Sequence, residues 1–439
     1  MELSLYKKAR CLQGSGLLFL KNIQENSKKK QGLIVLLAGL IVGLTCACNT
    51  TKQTQINRAN WYETNDAEVK MKTKIHHLTN DSSAVYIALP KNKFLTNNTK
   101  VVAKYWLFND FKGKELVDSS SARFTLNNLT NDQNRVVLKK IIGAKQGQNY
   151  WLKVVVINEL NEKLGNKKIM VYKIDDQNDQ NYLTKYKKNN AILFDKFAKQ
   201  HEGLIVMYRK GVLKKLTVAY FKSNQQLALP PFVNQKIKET KPIPDSLFYS
   251  NGKITIKKLG ALFIKIDEKH EKGLTIVAVD ENFPKLTSAN ELIASLRYIT
   301  RNEEYQMLKN AENPKKAIDN FWLDKAGSID RGKVLIKTFY GRVQRANQFF
   351  TSYCEGWQTD RGLIYIIYGQ PSEVYQTAYG ELWIYNGNRM TDGMDLSFSF
   401  TQLNLPFSTE HYQLKRDAYY ETSWHDAVYE WRKGLVRNK

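Results

Sequence analysis

The sequence predicts a multidomain, mainly β protein: two antiparallel β-sandwich (Ig-like) domains followed by a C-terminal α+β domain. Three observations predict it. The chain has 439 residues, more than one ordinary domain holds. Two series of short β-branched and aromatic runs, separated by turn residues, fill its middle. At Ser288 the apolar period lengthens from two to between three and four. Hydrophobic residues at 42% supply packed cores, and 9 Pro with 24 Gly exclude a collagenous or Pro-rich chain. Four Cys and 6 His exclude a disulfide scaffold.

In chain order, the first feature is the run 32–47, GLIVLLAGLIVGLTCA, preceded by Lys28, Lys29 and Lys30. At 1.5 Å per residue it spans about 24 Å, short of the ~30 Å of a bilayer core. A basic flank, a short apolar core and small residues at its end describe an export signal. The end, Leu44-Thr45-Cys46-Ala47-Cys48, resembles the lipobox of bacterial lipoproteins. That resemblance implies a signal peptide over 1–47 and lipidation of Cys48, although Thr45 stands where the family has an aliphatic residue. A plain N-terminal membrane anchor is the other reading. Either way the bulk of the chain leaves the cytoplasm, and Cys354 is the one thiol left free.

Residues 48–79 are polar and read as a tether. Strands are expected at 83–89, 101–108, 122–126, 135–142, 150–158 and 168–174, making a first sandwich over 80–175. The polar stretch 175–190, DDQNDQNYLTKYKKNN, supplies a linker, set at 176–190. A second sandwich over 191–285 is expected from strands at 191–194, 204–208, 216–221, 246–249, 253–257, 261–266 and 274–279. Asn251-Gly252 should close a hairpin in it, and 229–245, with Pro230, Pro231, Pro242 and Pro244, should be a long loop.

The α+β domain covers 286–439. Ser288 with Glu291 makes a capping box for a helix over 289–299. Asn313-Pro314 caps another over 315–325. Leu335, Phe339, Val343, Ala346 and Phe350 share one face of a helix over 333–350. Strands at 363–368, 381–385 and 395–401 follow. A last helix over 424–433 carries Trp424, Val428 and Trp431 on one stripe and stops at Gly434.

Net charge is +25, contributed as +5 by residues 1–47, +19 by 48–285 and +1 by 286–439. The basic character belongs to the β region. Lys outnumbers Arg, and no basic run interleaves stacking aromatics, so nucleic acid is not the expected partner. Anionic lipid or an acidic surface suits an exported protein better, and Lys as a plain solubilising residue is the alternative.

Within the last domain the chain reads Cys354-Glu355-Gly356-Trp357-Gln358-Thr359-Asp360-Arg361-Gly362, then on to Tyr368-Gly369-Gln370-Pro371, with Glu381-Leu382-Trp383-Ile384-Tyr385 later. Together with Arg342, Ala346, Asn347 and Phe350 upstream, this resembles the GWxTD-domain family of bacterial envelope proteins, found notably in Bacteroidota. The resemblance covers about 290–435 and implies architecture and compartment but no reaction. Read physically, Gly356 lets the chain turn before Trp357, and Thr359 and Asp360 accept backbone N–H bonds. Arg361, Gly369, Pro371 and Trp383 complete the motif as binding candidates. Five of the eight Trp fall in this third and form one aromatic core or line a groove.

Phosphate-binding loops, dinucleotide fingerprints, nucleophile elbows and H-E-x-x-H are absent from the sequence. Adjacent His76 and His77 point to opposite faces of a strand, and Asp175, Asp176 and Asp179 lack a calcium loop's spacing. No catalytic residue, metal or cofactor is therefore assigned. The expectation is a non-enzymatic, lipid-anchored outer-membrane protein that binds another envelope component as an accessory subunit of an outer-membrane assembly. One alternative is a hydrolase of envelope peptide or glycan using Asp360, Glu355 or Cys354, with His425 as a partner for Cys354. The other is carbohydrate binding by the sandwiches.

Overall fold

The computed structural model of the protein describes residues 71–90, 100–125, 131–132, 135–143, 147–172, 178–209, 214–222, 227–234, 243–387, 395–405 and 408–436. The run 32–47 and Cys48 lie outside them. Among the described residues no helix is long and apolar enough to cross a membrane.

Alternating burial builds the first module. Its strands are β1 (Lys72–His77), β2 (Ser82–Pro90), β3 (Lys100–Phe108), β4 (Leu116–Thr125), β5 (Asn131–Asp132), β6 (Arg135–Gly143), β7 (Tyr150–Asn158) and β8 (Lys163–Val171). They form two four-stranded antiparallel sheets, ordered β1-β2-β6-β5 and β4-β3-β7-β8. Val101, Ala103, Tyr105 and Leu107 of β3 and Leu152, Val154 and Val156 of β7 meet Val85, Ile87 and Leu89 of β2 in one core. β2 breaks the alternation, since its other face is buried as well.

That other face meets the second module. Ala84, Tyr86, Ala88 and Val137 pack with Leu183 and Phe194. The strands there are β9 (Tyr182–Tyr186), β10 (Phe197–Lys199), β11 (Gly203–Tyr208), β12 (Leu216–Lys222), β13 (Ser246–Ser250), β14 (Lys253–Thr255), β15 (Gly260–Lys265) and β16 (Leu274–Val279). A five-stranded sheet β10-β16-β15-β12-β13 and a three-stranded sheet β14-β11-β9 share a core that includes Leu204, Val206, Val218, Ile264 and Ile276.

Three sequence expectations change in this module. The stretch expected to be a linker contains β9, with Tyr182 fully buried and Leu183 at 3% exposure, because two apolar residues inside a polar run suffice for a short strand. Residues 191–194 make one isolated bridge at Ile192, and the strand lies at β10, which runs parallel to β16. The turn at Asn251-Gly252, where Gly252 has φ +90°, joins two sheets instead of closing a hairpin. β13 pairs with β12, and β14 pairs with β11.

Half-buried charged groups also line the contact between the modules. Lys72 bonds Asp195, Arg135 lies 3.7 Å from the same carboxylate, and Arg209 donates to Asn181 at 2.7 Å and Asn80 at 3.2 Å. His76 and His77 face opposite ways, as their adjacency requires. His77 Nδ1 pairs with Ser83 Oγ at 2.7 Å. His76, 1% exposed, pairs across to Ala84 on the face that meets the second module, and neither ring nitrogen has a hydrogen-bond partner.

The C-terminal region begins with α1 (Ala289–Leu296), α2 (Asn302–Lys309), α3 (Pro314–Ala326) and α4 (Ile329–Phe350). Ser288 and Glu291 form the expected capping box, and Asn313 Oδ1 accepts from Lys316 N–H. α4 starts four residues before the expected 333, because Ser328 caps it, and its five predicted face residues are buried. Next come a 3₁₀ turn (Gly356–Gln358) and α5 (Asp360–Tyr368), then β17 (Glu373–Gln376), β18 (Gly380–Tyr385), β19 (Leu396–Leu405) and β20 (Ser408–Leu414), in that order across one sheet. α6 (Glu421–Arg432) closes the fold. Arg432 Nη2 and Lys325 Nζ reach Glu304 Oε1 at 2.9 and 3.1 Å, tying α6 and α3 to α2. The five C-terminal Trp, at 0–5% exposure, share one core.

The strand expected at 363–368 is α5. Its run Leu-Ile-Tyr-Ile-Ile-Tyr has the β-branched composition of a strand, but it is buried on every side, so no polar face marks its period.

His76 yields a pH prediction. Burial, then His77, Lys74, Lys139 and Lys185, lower its pKa from 6.5 to about 4. Between those values the unfolded chain binds more protons, so stability falls as pH drops from 6.5 towards 4, by up to about 3 kcal/mol. Urea melts across that range should show a shallower loss for His76→Phe than for the wild-type chain.

Candidate functional site

The motif residues form a corner where backbones touch. A Cβ at Gly356 would lie 1.9 Å from the Ala346 carbonyl oxygen on α4, and one at Gly362 would lie 1.9 Å from the Gly356 carbonyl oxygen. Only glycine permits this stacking of α4, the 3₁₀ turn and α5. The corner is then stitched by hydrogen bonds. Trp357 N–H donates to Asn347 Oδ1 at 3.1 Å, and Gly356 N–H donates to Thr351 Oγ1 at 3.0 Å. Thr359 caps α5, accepting from Gly362 N–H at 3.1 Å and donating to the Gly356 carbonyl at 2.7 Å. Trp357, 1% exposed, receives the Tyr298 hydroxyl on its carbonyl at 2.9 Å.

Asp360 opens α5 and is consumed by the sheet. Its Oδ2 accepts from Leu414 N–H at 2.8 Å and Arg416 Nη1 at 3.0 Å, and its Oδ1 accepts from Arg416 Nη2 at 2.5 Å. The Arg416 side chain is only 4% exposed. Such two-pronged pairs are stronger and more directional than single bonds. Arg361 lies 3.7 Å above the Tyr412 ring centroid and 5.0 Å from that of Phe350, with Nη1 3.4 Å from Glu381 Oε1. Trp383 Nε1 donates to the other Glu381 oxygen at 2.9 Å. A guanidinium between two aromatic rings and a carboxylate holds β18 and β20 to α5.

At the far end, Arg342 of α4 donates to the Ile366 and Ile367 carbonyls at 3.0 and 2.9 Å, and Trp431 Nε1 donates to Ile367 at 3.0 Å. Burial lowers the Arg342 pKa to about 10, and its cation sits where the helix dipole favours positive charge. Gly369 has φ +87°, and a Cβ there would meet Arg342 Nη2 at 2.8 Å. Pro371, also buried, follows.

Of the hydrolase candidates, Cys354 lies beside Ser352 and His411, which the sequence reading did not name for that role. Ser352 Oγ pairs with His411 Nδ1 at 3.2 Å, and Ser352 also bonds the Cys354 thiol. Burial pushes that thiol up to about 12 and holds His411 down at about 4. A thiol so protonated is a poor nucleophile. His425, the partner considered for Cys354, packs tilted against Phe232 with centroids 5.4 Å apart. Glu355 accepts from Trp357 Nε1 at 2.9 Å, and burial raises its pKa to about 7. No cluster of His, Cys, Asp or Glu among the described residues could hold a metal. Arg416 and Tyr412 escaped the sequence reading. Each lies far along the chain from its partner, and nothing in its local pattern marks it.

A family model described as GWxTD domain matches residues 260–433, from Gly260 in β15 to the residue after α6. The chain carries a GWxTD domain. No curated protein sequence matches the chain. Among solved structures, a glycosyl hydrolase family 2 member from Bacteroides cellulosilyticus is 14% identical over 27% of this chain and 16% of its own, with a TM-score of 0.18. A bacterial adhesin from Mobiluncus mulieris is 7% identical over 48% of this chain and 98% of its own, with a TM-score of 0.18. A C-terminal intimin fragment is 11% identical over 79% and 98%, with a TM-score of 0.14. The chain covers 16–22% of the length of the first three solved structures matched.

A segment from the β region lies across the GWxTD motif. Residues 227–234, partly within the stretch expected to be a long loop, connect to the second module but pack Leu227, Ala228 and Phe232 on the GWxTD core. Ala228 N–H donates to the Gln358 carbonyl at 3.0 Å, Arg416 Nη2 to Leu229 at 3.2 Å, and Asp417 N–H to Pro231 at 3.1 Å. Beside it a recess of about 250 Å³ is lined by Asn234, Thr401, Gln413, Leu414, Lys415 and Arg416. Arg416 thus joins helix, sheet and strap.

Two predictions follow from these buried groups. Asp360→Asn should cost about 3–5 kcal/mol by stranding the Arg416 charge, and Asp360→Asn with Arg416→Met together should cost clearly less than the two single losses added. Urea melts of the four proteins read the coupling. For Glu355 the raised pKa means the folded state holds the proton more tightly. Its contribution is complete below pH 4.5 and is lost as pH rises through 7. Glu355→Gln, which keeps an acceptor for Trp357, should leave stability at pH 5 unchanged and raise it at pH 8 by about 1–3 kcal/mol.

Proposed function

We propose that the protein is a lipid-anchored component of the bacterial cell envelope, held through Cys48 at the outer membrane. In this reading it binds another envelope component as a non-enzymatic accessory subunit of an outer-membrane assembly. The observation that carries it is the use of the motif side chains: Asp360, Arg361, Thr359 and Trp357 are buried and engaged with partners inside the domain. They shape a rigid body and leave recognition to its surface. Exposed aromatic side chains, Tyr379 at 80%, Tyr419 at 66% and Tyr429 at 55%, supply contact groups on the GWxTD domain. The +19 carried by residues 48–285 suits anionic lipid or an acidic surface beside the β modules.

A hydrolase of envelope peptide or glycan draws on a single observation, the Glu355 carboxyl with its pKa near 7. Against it, Glu355 does not line the recess at Arg416, and the nearby thiol is held protonated.

Affinity isolation of the tagged, full-length protein from gently solubilised envelopes tests the binding reading. A stoichiometric membrane-protein partner is expected with the wild-type chain and should be lost from a variant carrying Tyr379→Ser and Tyr419→Ser that melts normally. Wild type emerging alone in mild detergent and low salt overturns the reading.

A further inference from the structure

Among the described residues, one sheet of the second module ends in an unguarded edge. β13 is the terminal strand of the order β10-β16-β15-β12-β13, paired to β12 from Ser246↔Tyr220 to Ser250↔Leu216. Its sequence, Ser-Leu-Phe-Tyr-Ser, contains neither charge nor proline. Leu247, Phe248 and Tyr249 are exposed at 48%, 38% and 56%. Native edge strands are ordinarily blunted by charged side chains, proline or a bulge, because their outer N–H and C=O groups pair with any extended chain. Every other edge strand among the described residues obeys this: β1, β4, β5, β8, β9, β10, β14, β17 and β20 each carry at least one charged residue. β13 alone does not.

The surroundings say what would sit there. Leu247 and Tyr249 share a face with Thr217 and Ala219 of β12 and with Phe263 and Lys265 of β15. Lys215 Nζ lies 4.8 Å from the Tyr249 ring centroid, Lys265 Nζ lies 5.7 Å from that of Phe263, and Lys253 follows the turn after β13. The nearby carboxylates are engaged: Glu268 accepts from the Tyr249 hydroxyl, and Asp245 accepts from Lys222 N–H. A second copy of the chain could pair antiparallel through this near-palindromic strand. That would set each copy's lysines against the other's, at the end of a region carrying +19 over residues 48–285. A five-residue edge pairing is also far smaller than the ~1,200 Å² a stable dimer needs.

We infer that β13 is a docking edge for an extended, acidic segment of a partner protein, added as a sixth strand. Main-chain pairing along Ser246–Ser250 supplies the affinity. Leu247 and Tyr249 on one face, and Phe248 on the other, read alternate apolar side chains of the guest. Lys215, beside Tyr249, meets its Asp and Glu residues. Such a partner presupposes the binding role proposed above.

The test places p-benzoyl-phenylalanine at position 249 of the full-length protein in its source cells, with position 160, exposed on a β-turn of the first module, as control. Ultraviolet cross-linking is followed by mass-spectrometric mapping of the adduct. The expected adduct is an acidic, extended segment of another polypeptide. A synthetic peptide of that mapped segment should then slow amide exchange over 246–250 at least tenfold. Tyr249→Asp, with an unchanged urea midpoint, and Phe248→Pro should each weaken that peptide at least tenfold. Adducts to lipid or to a second copy, no adduct above the control, or a mapped peptide that leaves exchange at 246–250 unaltered would each overturn the inference. A partner still isolated through the Tyr379 and Tyr419 surface would confine the failure to the edge. Loss of both would sink the binding role as well.

Discussion

A nine-residue helix buried on every side must satisfy its end groups inside the protein, and the C-terminal domain is organised around that need. The first N–H groups and last C=O groups of a helix have no partners along the helix. At the N-terminus of α5, Thr359 caps the backbone and Asp360 places a carboxylate in the first turn, where the dipole favours it. Arg416 then neutralises that carboxylate from the sheet side. At the C-terminus Arg342 and Trp431 take the Ile366 and Ile367 carbonyls. A cation and an anion, at opposite ends, do for a buried helix what water does for a surface one. The family motif is largely the record of this arrangement, with its glycines admitting the backbone of α4.

The same constraint explains which parts of the fold could be read from the sequence. Helices with one wet face declare their period, so α1, α3 and α4 were predictable from capping residues and from the stripe of Leu335, Phe339, Val343, Ala346 and Phe350. α5 has no wet face. Its β-branched run carried a strand signature, and only tertiary packing decides between the two. β9 shows the converse. Tyr182 and Leu183 stand in a polar stretch, and their burial depends on β11 and on the first module, neither of which is visible locally. At the motif, the residue types that make a corner were evident in Gly356, Trp357 and Thr359. Arg416, which gives Asp360 its role, lies 56 residues downstream in an unremarkable polar run.

Buried charge is handled differently in the two halves. In the GWxTD domain each buried ion finds a designated partner: Asp360 has Arg416, Arg361 has Glu381 and two rings, and Arg342 has carbonyl oxygens. Removing one member leaves the other stranded, so such contacts contribute uniqueness of packing more surely than net stability. Where the two β modules meet, His76 has neutral burial instead of a partner, ringed by lysines that oppose its protonation. That contact is therefore sensitive to acid.

The strap at 227–234 connects these observations mechanically. It leaves the sheet of the second module after β12, bonds Gln358 and Arg416 of the motif corner, and the chain returns to the same sheet as β13. A chain whose modules rotated freely would dilute any contact made at its far end through the entropy of orientation. Backbone bonds from Ala228 and Pro231, with Phe232 against His425, remove part of that freedom by fastening the second module to the corner. The strand that follows the strap is the unguarded β13. The GWxTD corner and the edge strand β13 are thus met in one excursion of the chain. A motif kept rigid by a buried ion pair is well suited to be the fixed end of such a connection.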